Sequence, residues 1–291
     1  MLDKPPRLSV KSMELGRVVH NRRVQWVRRA VWSTRPESSR LAYYSFVLRR
    51  ALRPEGTAIR EDAIVEHGGV RFLLPKDDSE VLYSVFIDEM EPLTCKLMTS
   101  LKGSVFVDVG ANVGAYTVRL GSLFGKIVSI EPNPRAAEVL RRNIELNHLH
   151  NVDVVEEAVS DSAGETTMNV PSSGKTTRSS IVESYNKGSY FKVETNTLDR
   201  LLDEFTKIDL LKIDAEMAEV KVLNGAEMTL DKTATVIIET GSWSEKRVTE
   251  ILEKHGFDVA DLDIKVNECK NVSATRTNDN RSQSHTQASS M

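Results

Sequence analysis

From residue 104 onward, short apolar runs alternate with amphipathic ones, and few architectures accommodate that alternation. SVFVDV, KIVSIE, VDVVEE, IDLLKID and ATVIIET read as buried strands, with FDVADL as a sixth. GAYTVRLGSLF and PRAAEVLRRNIELN read as helices between them, the second carrying Ala136, Val139, Leu140 and Ile144 on one side. Further helices are expected at about 88–101, 215–230 and 244–255. Strands alternating with helices predict an α/β chain with a doubly wound parallel sheet. Helices on both faces explain why the strands are uniformly apolar.

The flanking segments differ in character. Residues 1–60 hold 14 Lys/Arg against 4 Asp/Glu, a net of +10 in a chain whose total is −3. They read as a basic helical extension, with Leu41, Tyr44, Leu48 and Leu52 at helical spacing. The main domain is expected over 61–269, opening with a hairpin around His67-Gly68-Gly69 that ends at Pro75. A polar, Ser/Thr/Gly-rich insertion occupies about 161–196, where GETTMNV and FKVETNT can form an added antiparallel pair. Residues 270–291 are polar and small, the composition of a disordered tail. No stretch approaches the roughly 20 apolar residues that span a bilayer. MLDKPPRLSV lacks a signal-peptide core. Cys95 and Cys269 make neither a disulfide framework nor a metal pattern. A cytoplasmic chain is the expectation, with the basic extension able to make it peripheral to a membrane.

The strongest chemical signal is VFVDVGANVGAYT, residues 105–117. Asp108 ends the first strand, and Gly110 and Gly114 open the turn into the helix, letting backbone approach a ligand at a helix N-terminus that favours a carboxylate. The next strand ends at Glu131, 21 residues after Gly110, where an acid can hold the two ribose hydroxyls of an adenosine. A dinucleotide turn wants G-x-G-x-x-G, and Asn112 replaces its second glycine. That counts against a nicotinamide cofactor. S-adenosylmethionine, with a carboxylate in place of a pyrophosphate, needs less glycine. The G-K-T of SSGKTT (172–177) lacks the earlier glycine of a phosphate loop and reads as solvated loop.

A second cluster lies in IDLLKIDAEMAEVKVLNGA, residues 208–226. Lys212, Asp214 and Glu216 fall at the carboxyl edge of the sheet, where ligands bind in such folds. Glu216 and Glu219 can equally be acids that complement a helix dipole. Asp214, Glu216 and Glu239 read as hydrogen-bonded structure, and no metal is expected.

In order along the chain, DEMEP (88–92), VFVDVGANVGAYT, IVSIEPNP ending at Pro134, EEAVSDSAGE (156–165), TLDRLL (197–202) and DLLKIDAEMAEVKVLNGA resemble the FkbM-type methyltransferases. These are S-adenosylmethionine-dependent enzymes with a Rossmann-like fold. The resemblance spans about residues 60–262. It implies that Asp108, Gly110, Asn112 and Gly114 form the cofactor turn and that Glu131 takes the ribose. It further implies that Glu157 and Ala158 border the adenine and that Glu91 matches an acid kept before the first strand. Asp214 becomes the first candidate base, with Lys212 as an orienting group and Glu216 beside them. The implied reaction is O-methylation of a sugar, glycan or other hydroxylated small molecule. A non-catalytic adenosine-ligand-binding protein on the same fold is the alternative. Residues 1–60 are left to an anionic partner, a membrane surface or nucleic acid, or to packing on the acidic body.

The family usually reads K-I-D-x-E-G, and here Met217 takes the glycine's place. Met adopts positive φ with difficulty, so an ordinary helical backbone is expected at Met217. Its side chain then either narrows the acceptor pocket or packs on the insertion.

Overall fold

The computed structural model describes residues 35–36, 62–76, 78, 81–171, 188–264 and 269–276. By its contacts the chain divides into Met1–Ser79 and Glu80–Met291. In the first unit, β1 (Arg35–Pro36), β2 (Ala63–His67) and β3 (Val70–Leu74) form an antiparallel sheet in that order. His67 pairs with Val70 across Gly68 and Gly69, whose φ values of +62° and +81° suit the tight hairpin turn that the sequence predicts. The expected helices of the basic extension lie outside the described residues.

The second unit opens with α1 (Val81–Val85), α2 (Ile87–Met90) and α3 (Pro92–Ser100). The single helix expected at 88–101 is thus broken at Glu91, whose non-helical backbone ends one helix and begins the next. There follow β4 (Gly103–Val109), α4 (Ala115–Leu120), β5 (Phe124–Ile130), α5 (Pro134–Leu146), β6 (Val152–Val155) and β7 (Ala158–Val159). The insertion supplies β8 (Gly164–Pro171) and β9 (Gly188–Asn196), paired antiparallel, with β7 added parallel to β9. Then come α6 (Leu198–Leu201), β10 (Ile208–Ile213), α7 (Glu219–Asn224), α8 (Glu227–Asp231), β11 (Thr233–Gly241), α9 (Glu245–Lys254), β12 (Phe257–Ile264) and β13 (Cys269–Arg276). The main sheet runs β12-β13-β11-β10-β4-β5-β6.

Alternate residues of the central strands feed opposite faces. Val107, Leu211, Ile213, Val236 and Ile238 join one buried cluster, and Phe106, Ile127, Leu210 and Ile237 the other. This is the two-sided burial that the apolar strands predict. Two motif residues prove to be structural. Asp199 of TLDRLL accepts from the Met228 and Thr229 amides and caps α8. A Cβ on Gly225 would fall 2.2 Å from the Ser160 carbonyl oxygen.

One expectation is corrected. Residues 270–276 form most of β13, paired antiparallel to β11 on one side and to β12 on the other, so the sheet is mixed. Insertion between two partners supplies a full backbone ladder, which lets a strand succeed with only Val272 and Ala274 entering the core. Arg276 finishes it, donating to the carbonyls of Leu230, Thr233 and His255 and lying 4.6 Å from the Phe257 ring centroid. Residues 277–291 lie outside the described set. Among the described residues no helix is long and apolar enough to cross a membrane.

Candidate active site

The loops after β4, β5 and β10 bring the predicted residues together. Asp108 is 1% exposed. Its Oδ2 accepts from Thr117 Oγ1 at 2.7 Å, and that hydroxyl also meets Ser129 Oγ at 2.8 Å. Asp108 Oδ1 is buried without a hydrogen-bond partner. Burial raises the Asp108 pKa, with the Lys212 charge and the Thr117 hydroxyl opposing.

Gly110, Asn112 and Gly114 all have positive φ: +73°, +50° and +86°. At Gly110 a Cβ would fall 1.9 Å from the Asp214 carbonyl oxygen, and at Gly114 2.5 Å from Leu140 Cδ1. The turn therefore needs glycine at Gly110 for space, against fixed backbone, as well as for conformation, and at Gly114 for conformation. Asn is among the few other residues that tolerate the left-handed region, so Asn112 keeps the turn's shape where a dinucleotide fold has glycine. Its Oδ1 is buried and unpartnered.

Glu131 follows β5 and ties it to this turn. Its Oε2 accepts from the Asn112 amide and its Oε1 from the Asn133 amide, both at 2.8 Å. Burial pushes its pKa up to about 7, against the pull of those two amides; the charges of Asp108 and Asp214 push further upward.

Beyond β10, the Asp214 amide donates to the Val109 carbonyl at 3.0 Å, which seats it beside Gly110. The Asp214 side chain is 32% exposed, and Lys212 Nζ lies 3.4 Å from its Oδ2. Lys212 is buried, its ammonium 5.1 Å from the Tyr116 ring centroid, within cation–π range. Asp108, Glu131, Asp214 and Lys212 thus form one electrostatic group.

The corner that follows departs from expectation. Met217 has φ +79° and Glu216 φ +43°, so Met217 occupies the conformation that suits glycine instead of a helical one. The helix expected from about 215 begins at Glu219, because two successive left-handed residues cannot belong to a right-handed helix. Glu216 is exposed on this corner, and Met217 is 39% exposed.

The remaining predicted residues are more peripheral. Glu157 Oε2 accepts from Asn196 Nδ2 at 3.0 Å, and Ala158, in β7, clusters with Met168 of β8 and Val193 of β9. Glu91 is buried, its Oε2 accepting from Tyr116 Oη at 2.6 Å and Asn271 Nδ2 at 2.7 Å. It joins the α2–α3 break to α4 and β13. Sequence reading missed Tyr116, Thr117 and Asn271, which support the predicted acids. Thr117 was within the turn motif, but nothing in the polar tail marked Asn271. Burial also accounts for Asn271-Val272-Ser273, a glycosylation sequon whose Asn side chain is committed to Glu91 and Thr94. Among the described residues no three His, Cys, Asp or Glu side chains gather as metal ligands.

Residues 108–259 match the methyltransferase FkbM domain. The chain is 27% identical over 226 residues to methyltransferase sdnD of Sordaria araneosa, covering 65% of this chain and 85% of that relative. A shorter likeness, 32% identity over 72 residues, covers 24% of this chain and 38% of a probable cobalt-precorrin-6B C(15)-methyltransferase (decarboxylating) of Sulfolobus acidocaldarius. Among solved structures, methyltransferase FkbM from Methylobacillus flagellatus KT aligns with a TM-score of 0.44 at 13% identity, covering 89% of this chain and 60% of that one. With just over half of its length in the domain match, the chain belongs to the FkbM family of methyltransferases, whose methyl donor is S-adenosylmethionine.

Proposed function

We propose that this chain transfers a methyl group from S-adenosylmethionine to a hydroxyl of a sugar, glycan or other hydroxylated small molecule. The observation that carries the reading is Asp214, a partly exposed carboxylate at the sheet's carboxyl edge, beside the cofactor turn and paired with buried Lys212.

The residues present suit the cofactor. Asp108 Oδ1 is a buried acceptor owed a donor, and an amino group supplies one. Each Glu131 oxygen takes one backbone amide and keeps acceptor capacity for a ribose hydroxyl. Asp108, Glu131 and Asp214 also crowd negative charge that a cation relieves, and a sulfonium is a cation. Bound there, S-adenosylmethionine supplies an activated methyl on a positively charged sulfur. Asp214 would orient the acceptor hydroxyl and take its proton while the methyl's bond to sulfur breaks, its bond to oxygen forms and S-adenosylhomocysteine leaves, help worth about 10²–10⁴-fold. Lys212 holds the Asp214 carboxylate in place. For residues 1–60, the net charge of +10 supports an anionic partner, and two cysteines in 291 residues suit a cytoplasmic setting.

The test is to supply S-adenosylmethionine labelled in its methyl group, with a small-molecule extract as acceptor pool, and to identify the labelled product. A methyl ether is expected. Label on nitrogen or carbon would overturn the O-directed reading, and cofactor binding without any transfer would favour a binding protein.

A further inference from the structure

The corner between β10 and α7 holds an acid that the proposed chemistry does not use. Glu219 is the first residue of α7, where a surface carboxylate would already complement the helix dipole. It is instead 3% exposed. Burial raises its pKa against the opposing Met217 amide, its own amide and the Ser244 hydroxyl, and the Asp214 charge raises it further. Oε1 accepts from the Met217 amide at 2.8 Å, while Oε2 is buried without a hydrogen-bond partner. Desolvating a carboxylate to that degree is a poor exchange for helix capping alone.

The amide that Glu219 holds belongs to the second of two successive left-handed residues. Neither is glycine, so both lean toward relaxing out of that conformation. Asp214 lies two residues before Glu216, fixed on its N-terminal side by its bond to Val109. Relaxation of Glu216 and Met217 would therefore turn the chain on the C-terminal side of Asp214.

We infer that Glu219 is a positioning residue: it clamps the Met217 amide, keeps the Glu216–Met217 corner left-handed, and so sets the direction in which Asp214 presents its carboxylate to the acceptor. The consequence for catalysis rests on the proposed role of Asp214; the clamp itself does not.

Glu219→Ala removes the acceptor, whereas Glu219→Gln keeps a carbonyl oxygen for the Met217 amide. Both are made in the full chain and compared by hydrogen exchange at the Met217 amide, label transfer to the extract pool, S-adenosylhomocysteine affinity and thermal unfolding. With Ala, Met217 exchange should quicken at least about tenfold and turnover should fall about 10–100-fold, the scale of a misplacement of about 1 Å, while S-adenosylhomocysteine affinity stays within about threefold. Gln should restore Met217 protection and most of the turnover. If the Ala variant does not fold, Glu219→Asp, one methylene shorter, breaks the same bond with the same expected pattern. The inference is overturned if Ala leaves exchange and turnover unchanged. It is also overturned if both variants lose turnover, ligand affinity and melting temperature in step, which is the signature of a structural role. Failure of the O-directed reading shows separately, as label on another atom with the exchange result intact.

Discussion

The turn after β4 and the corner after β10 lie side by side at the same edge of the sheet, and both use left-handed backbone. They secure it by different means. After β4, Gly110 and Gly114 take positive φ at no steric cost, and the tolerant Asn112 stands between them. After β10, Glu216 and Met217 take it against their preference, with a buried carboxylate holding the second amide. The first arrangement is set by composition, and the second by a specific hydrogen bond. A Met held where glycine is usual places a side chain, 39% exposed, next to the proposed base, and that is where acceptors would differ.

The largest expected effect breaks the comparison on the acceptor side. Asp214→Asn keeps the shape and removes the charge, so turnover should fall about 10²–10⁴-fold with cofactor affinity little changed. Loss of affinity instead would make Asp214 a cofactor ligand. Next comes the cofactor side. Gly110→Ala puts a Cβ against the Asp214 carbonyl at positive φ, and overpacking plus left-handed strain should cost about 2–5 kcal/mol in chemical denaturation. A silent variant would show that the two loops are not in close contact. The smallest effect sharpens the contrast. Met217→Gly places glycine at φ +79°, so the fold should gain up to about 1 kcal/mol, read by thermal unfolding, while acceptor preference shifts. A loss of about 2 kcal/mol or more would mean that the Met side chain packs.

These two loops also mark what the sequence discloses. Glycines and strand-end acids are local signals, and from them the β4 turn and the place of Glu131 after β5 could be read, as the apolar runs disclosed the alternation of strands and helices. The Met217 conformation could not, because the Glu219 bond that holds it appears only once α7 starts three residues beyond Glu216. Nor could β13: KNVSATR carries two apolar residues, and its stability comes from two neighbouring strands and from Arg276 reaching three distant carbonyls. Asn271 shares that cause, since its partner Glu91 lies 180 residues away.

Glu131 offers the most direct test of the central claim, that the edge formed by β4, β5 and β10 holds S-adenosylmethionine. Burial holds its pKa at about 7, above the ordinary 4.5. Between those values the folded chain keeps a proton that the unfolded chain releases, so this group's contribution to stability is lost as pH rises through about 7. Ribose hydroxyls donating to the carboxylate favour its ionised form, so binding should release a proton near pH 7 and tighten as pH rises. The measurement is calorimetry of S-adenosylmethionine binding to the parent and Glu131→Ala, in buffers of differing ionisation enthalpy. The account predicts proton release by the parent, its absence in the variant, and affinity at least about tenfold weaker, since each charge-assisted bond contributes about 1.5–3 kcal/mol. Equal affinity and equal proton release in the two proteins would contradict it.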